Sequence, residues 1–75
     1  MDKAIGEIFT FSTKQPAEDV RIAILHFIDK RGFVPTQLDI RSEVQDHIDA
    51  TILQQLNIHI EVRDKGLAPG VFYLW

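Results

Sequence analysis

Cysteine is missing from this 75-residue chain altogether. Disulfide staples and thiolate zinc sites are excluded with it. The absence suits a reducing compartment, so a cytoplasmic location is expected. Long apolar runs are missing as well: no stretch approaches the ~20 residues of a membrane span. The opening MDKAIGEIF lacks the long apolar segment of a secretory leader, and no signal peptide is expected. An excess of positive charge is the third absence. The formal net charge is -3, and Lys14, Arg21, Lys30, Arg31, Arg41, Arg63 and Lys65 all have acidic neighbours in the sequence. A protein that grips phosphate backbones needs clustered Lys and Arg. The composition therefore does not favour a nucleic acid as partner.

Catalytic signatures are also wanting. No P-loop, nucleophile elbow or dinucleotide fingerprint occurs. Of the three histidines, none forms a His-x-x-x-His pair. Asp46, His47 and Asp49 are close in sequence, but on a helix adjacent residues such as Asp46 and His47 point in different directions. His59 and Glu61 share one side of a strand pattern, as an ordinary polar pair does. His26 falls on the polar side of a helix. Ser12 and Thr13 precede that helix, whose N-terminus suits an anion, yet Glu18 and Asp19 would repel a phosphate. A chain of this length also cannot enclose a typical substrate cavity alone. No enzyme, catalytic residue, cofactor, metal or small-molecule substrate is expected.

What the chain does contain is a sequence of well-punctuated elements, enough for one small domain over residues 1–75. EIFTFST (7–13) is aromatic and β-branched and reads as a strand. KQPAEDVRIAILHFIDKRG reads as a helix. Pro16 suits its first position, Glu18 and Asp19 its positive end, Lys30 and Arg31 its negative end, and Gly32 a left-handed stop. Ala17, Val20, Ala23, Ile24, Phe27 and Ile28 recur on one side; Ile22 falls opposite. In TQLDIR, Thr36, Leu38 and Ile40 alternate with polar residues, which predicts a strand. Ser42 and Gln45 have the spacing of a capping box before a second helix through EVQDHIDATILQQL. IHIEV alternates as a half-buried strand. Ala68-Pro69-Gly70-Val71 has the composition of a type II turn, and VFYLW reads as the last strand.

The order is β-α-β-α-β-β. It predicts an α+β fold, a two-layer α/β sandwich with a four-stranded mixed sheet and two helices on one face. This order resembles the sulfur-carrier TusA family, Alba-type chromatin proteins and the C-terminal domain of translation initiation factor three. The sulfur carriers act through a cysteine in a Cys-Pro-x-Pro motif, whereas this chain has KQPAED with no cysteine. The other two families use basic surfaces. Fold does not by itself imply function. GFVPTQLDI resembles the opening of the winged-helix domain of LexA-type repressors. That alternative implies a helix over 36–44 and a nucleic-acid-binding or regulatory role. The helix it would place in the major groove, DHIDATILQQL, carries no Lys or Arg and two aspartates, the wrong charge for that position.

Two strands are apolar on both sides. In VFYLW, Val71, Tyr73 and Trp75 alternate with Phe72 and Leu74; in EIFTFST, Phe9 and Phe11 oppose Ile8 and Thr10. A two-layer fold needs apolar residues at every second position only. The excess implies that the sheet's second face is covered. The cover is a second copy or another protein, a terminal arm or inward-twisting edge, or the remainder of a longer protein. The expected function is a non-enzymatic interaction or assembly module. It self-associates or binds a protein partner through Phe9, Phe11, Phe72, Leu74 and Trp75.

Overall fold

The computed structural model describes residues 6–12 and 15–75. Residues 1–5, Thr13 and Lys14, and with them much of the opening stretch and the end of the first expected strand, lie outside that description. The described elements are β1 (Glu7–Thr10), α1 (Pro16–Arg31), β2 (Gln37–Ile40), α2 (Ser42–Gln45), α3 (Ala50–Gln55), β3 (His59–Val62) and β4 (Val71–Leu74). The strands form one mixed sheet in the order β1-β4-β2-β3. β4 is antiparallel to both its neighbours, and β2 and β3 are parallel. The fold is a small α+β domain with a four-stranded mixed sheet, as the pattern of elements predicts. The segment that a winged helix needs as helix, 36–44, holds β2 and the start of α2.

α1 starts and stops where its chemistry dictates. Pro16 occupies its first position, where a missing N–H costs nothing. Gly32 ends it at φ 81°, donating its N–H to the Ile28 carbonyl at 2.8 Å. Val20, Ala23, Ile24 and Phe27 are buried along one side. They meet Leu38 and Ile40 of β2, Phe72 and Leu74 of β4, Leu53 of α3 and Ile58 in a single core. All of this lies on one face of the sheet. At roughly 25 cal/mol per Å² of buried apolar surface, it is the main source of stability in so small a domain.

The second helix differs from the sequence pattern. Two short helices replace the continuous one expected. At the break, Asp49 is extended (ψ 98°) and its carboxylate accepts the Thr51 N–H at 3.0 Å. An aspartate that caps stabilises a new start more than it supports a helix interior. The expected capping box at Ser42 does not form. Arg41 is the N-cap residue, and Ser42 is already helical. The Ser42 N–H and hydroxyl both donate to Asp64, at 2.8 and 3.0 Å, so a residue 22 positions away satisfies that end. α3 ends on Asn57 at φ 59°, with Asn57 N–H to Gln54 O (3.1 Å) and Ile58 N–H to Leu53 O (2.8 Å). This is a Schellman ending, with asparagine in the left-handed position usually held by glycine. The expected turn before β4 is present: Val71 N–H reaches Ala68 O at 3.4 Å, and Gly70 has φ 84°.

Ion pairs tie distant segments to this frame. Glu7 of β1 meets Arg31 at 2.8 Å and Lys30 at 3.3 Å, at the far end of α1. Hydrogen bonding from Arg31 holds its carboxyl below the usual range, and bonds from the Ser42 amide and hydroxyl do the same for Asp64. A carboxyl that is more acidic when folded adds stability fully present above its unfolded pKa, lost as pH falls through the folded value. The melting temperature should therefore decline as pH drops below about 4, where unfolded carboxylates titrate; a flat profile from pH 5 to pH 2 would remove these ties from the account. In the core, Leu74→Ala should cost about 2–5 kcal/mol by urea denaturation, the usual range for a fully buried leucine. A cost near zero would mean that Leu74 is not enclosed as described.

Candidate interaction surface

The sheet has one face under the helices and one without them. Alternation along each strand decides which residues stand on which face. Ile8 and Thr10 of β1, Tyr73 of β4, Gln37 and Asp39 of β2, and His59 and Glu61 of β3 stand on the helix-free face. In register, Ile8, Tyr73, Asp39 and Glu61 form one row across all four strands. The row changes character along its length. Its β1–β4 half is apolar: Ile8 is 58% exposed, and half-buried Tyr73 meets the Trp75 ring edge-on at 5.8 Å between centroids. Its β2–β3 half is polar, with exposed His59 and Glu61 paired at 3.1 Å.

Asp39 joins the two halves. It lies on this uncovered face and yet is 0% exposed. One carboxylate oxygen accepts the Trp75 indole N–H at 2.8 Å and the Arg63 guanidinium at 3.1 Å; the other accepts the Gln37 amide at 2.7 Å. A buried carboxylate is costly unless donors replace its water, and here three side chains do so. The indole also crosses to the start of β1, where a Cβ at Gly6 would stand 3.0 Å from the ring. Glycine allows that approach; any larger residue would have to push the ring back by a few tenths of an ångström.

A second feature lies at the outer side of β1. An open cleft of about 300 Å³ separates this edge strand from α1, lined in part by Phe9, Ile22, Ala23 and His26. His26 sits edge-on to Phe9 at 6.1 Å. At one end, Asp19 of α1 takes the Ser12 N–H at 3.1 Å and its hydroxyl at 3.3 Å.

The residues singled out as partner-binding divide between these places. Phe72 and Leu74 are fully buried on the helix side, in the chain's own core. Phe9 and Phe11 point to the same side and are partly buried against that core, each ring close to Phe72 (5.5 and 4.6 Å). Trp75 alone of the five lies on the helix-free face. The apolar residues that are exposed there and beside it, Ile8 and Ile22, were named in the sequence pattern but not as contacts. In the sequence Asp39 is one of the polar residues that alternate with Leu38 and Ile40, with no local sign of its burial. His47 is exposed in the turn after α2, and Asp46 and Asp49 flank it. Among the described residues no group of three or more His, Asp or Glu is placed to hold a metal ion, and no helix is long and apolar enough to cross a membrane.

No family model matches the chain, and no curated protein or solved structure matches it either.

The buried carboxylate makes a direct test possible, because Trp75 is the only tryptophan. Asp39→Ala should strand the indole and guanidinium donors, lower stability by about 1–3 kcal/mol and shift the indole emission to the red. Unchanged emission with unchanged urea midpoint would show that Asp39 does not hold Trp75.

Proposed function

We propose that this domain is a non-enzymatic protein-interaction or assembly module, which self-associates or binds a protein partner through the apolar half of its helix-free sheet face. One observation carries the reading: Ile8 stands 58% exposed beside Tyr73, on a face that no described helix covers, in a strand with no neighbour on its outer side among the described residues. Apolar side chains grouped on an uncovered sheet face favour association, because burial removes them from water. The buried Asp39 supports the same reading. Its carboxylate, fixed by Arg63 and Gln37, accepts the Trp75 indole N–H and holds the ring down on the sheet, so the aromatic part of the surface is pre-organised and loses little side-chain freedom on binding. The contact residues of this reading are Ile8, Tyr73 and Trp75, with Phe72 and Leu74 supporting them from beneath through the β4 backbone.

Light scattering over a concentration series tests the self-associating form. Ile8→Glu alters a side chain mostly in water, so the melting temperature at low concentration should barely move. Association should weaken by at least about tenfold, the equivalent of one buried aliphatic side chain. Identical mass-against-concentration curves for the two proteins would remove Ile8, and with it this face, from the contact.

A further inference from the structure

We propose that the partner is a second copy of this chain, docked edge to edge: β1 pairs antiparallel with β1 of the second copy about a twofold axis at Phe9, and α1 packs antiparallel to its counterpart. This inference rests on the self-associating form of the reading above and moves the contact from the helix-free face to the β1 edge beside it, where Ile8 is shared.

The backbone of β1 is set for it. In an antiparallel ladder, alternate residues turn their N–H and C=O toward the neighbouring strand. Phe11 donates to Gly70 at 2.9 Å, so Phe11, Phe9 and Glu7 face β4. Ile8, Thr10 and Ser12 then face outward. The Ser12 amide is taken by Asp19. Ile8 and Thr10 have no such partner among the described residues, and they are placed symmetrically about Phe9. Antiparallel pairing about Phe9 sets Ile8 opposite Thr10 of the second copy, and Thr10 opposite its Ile8, so both residues exchange N–H and C=O bonds. The two sheets become one of eight strands. An edge strand without Lys or Pro, as here, is a ready template for such pairing. The opposite edge, β3, leads instead into Arg63, Asp64 and Lys65.

The helix above matches the same axis. Glu18, Ile22, His26 and Lys30 follow one another at four-residue spacing, one line along α1. Ile22 and His26 line the cleft over Phe9, and Lys30 reaches Glu7, so this line overhangs the free edge. Its centre is level with Phe9. A twofold axis there reverses the second helix, setting Glu18 against Lys30 of the second copy and Ile22 against its His26. The acidic first turn of each helix meets the basic last turn of the other, and the helix dipoles oppose. Ile22, 50% exposed in the single chain, enters the paired clefts. This charge complementarity within one sequence selects a second copy over an unrelated protein.

Two sets of variants test the arrangement by light scattering. Thr10→Pro deletes an outward N–H that no bond among the described residues uses. It should raise the dimer dissociation constant at least about tenfold with little change in circular dichroism. Glu18→Lys and Lys30→Glu, each alone, set like charges together and should also weaken the dimer. An equimolar mixture of those two variants should restore it, because both contacts become complementary again. A wild-type monomer at all concentrations overturns the proposal, as does a dimer indifferent to Thr10→Pro and to both charge reversals. Should Ile8→Glu dissociate a dimer that these variants leave intact, the helix-free faces stack on each other, and the edge pairing fails while the interaction reading stands. The charge-swap mixture keeps the test decisive even where Thr10→Pro disturbs folding.

Discussion

The structure depends on the insertion of β4 between β1 and β2. An interior strand must bond its backbone on both sides and lie under side chains on both faces. β4 meets both demands: Phe72 and Leu74 sit beneath α1, while Tyr73 and Trp75 lie over the opposite face beside Asp39. Its ladder to β1 joins the first segment of the described chain to the last. Its ladder to β2 continues past the strand itself, with Trp75 N–H bonded to Gln37 O at 2.9 Å and Thr36 N–H to Trp75 O at 2.7 Å. Without β4, β1 would have no neighbour and the core would lose its two fully buried residues nearest that strand.

The same insertion settles where the sheet ends. With β4 in the middle, β1 is an edge of the described sheet, and its Ile8 and Thr10 backbone groups have no partner among the described residues. The polar end of the sheet is managed differently. Asp39 is sealed by three donors, and Arg41 holds the loop after β3 through the Asp64 and Leu67 carbonyls at 2.9 and 2.8 Å. Asp64 in turn takes the Ser42 N–H and hydroxyl. At the β1 side Glu18 pairs with Arg21 and Lys30 with Glu7 at the two ends of one helix, and Ile8 and Ile22 are left exposed between them.

Local chemistry made α1 legible in full: the proline, the paired acids and bases, the 3.6-residue recurrence and Gly32 act within a few residues of one another. The strands at Leu38 and Ile60 and the turn at Pro69-Gly70 were legible for the same reason. The break at Asp49 was less so, because an aspartate's choice between a helix interior and a cap depends on whether the preceding residues gain by leaving the helix. The capping of Ser42 by Asp64 had no local signal at all. Apolar content on both sides of VFYLW pointed to two-sided burial, but an external cover and an interior position in the chain's own sheet leave the same pattern. The pattern alone assigns Phe72 and Leu74 to a contact surface, whereas the fold places them in the core.

Residue types and their spacing by themselves determined the α+β class, the long helix and its two ends, and the absence of thiol chemistry, because each rests on neighbours along the chain. Only the tertiary structure decided that β4 lies between β1 and β2, that Asp39 is buried beneath Trp75, and that β1 is the open edge. Strand pairing joins residues far apart in sequence, and a period of two says which side chains share a face without saying which strand lies alongside.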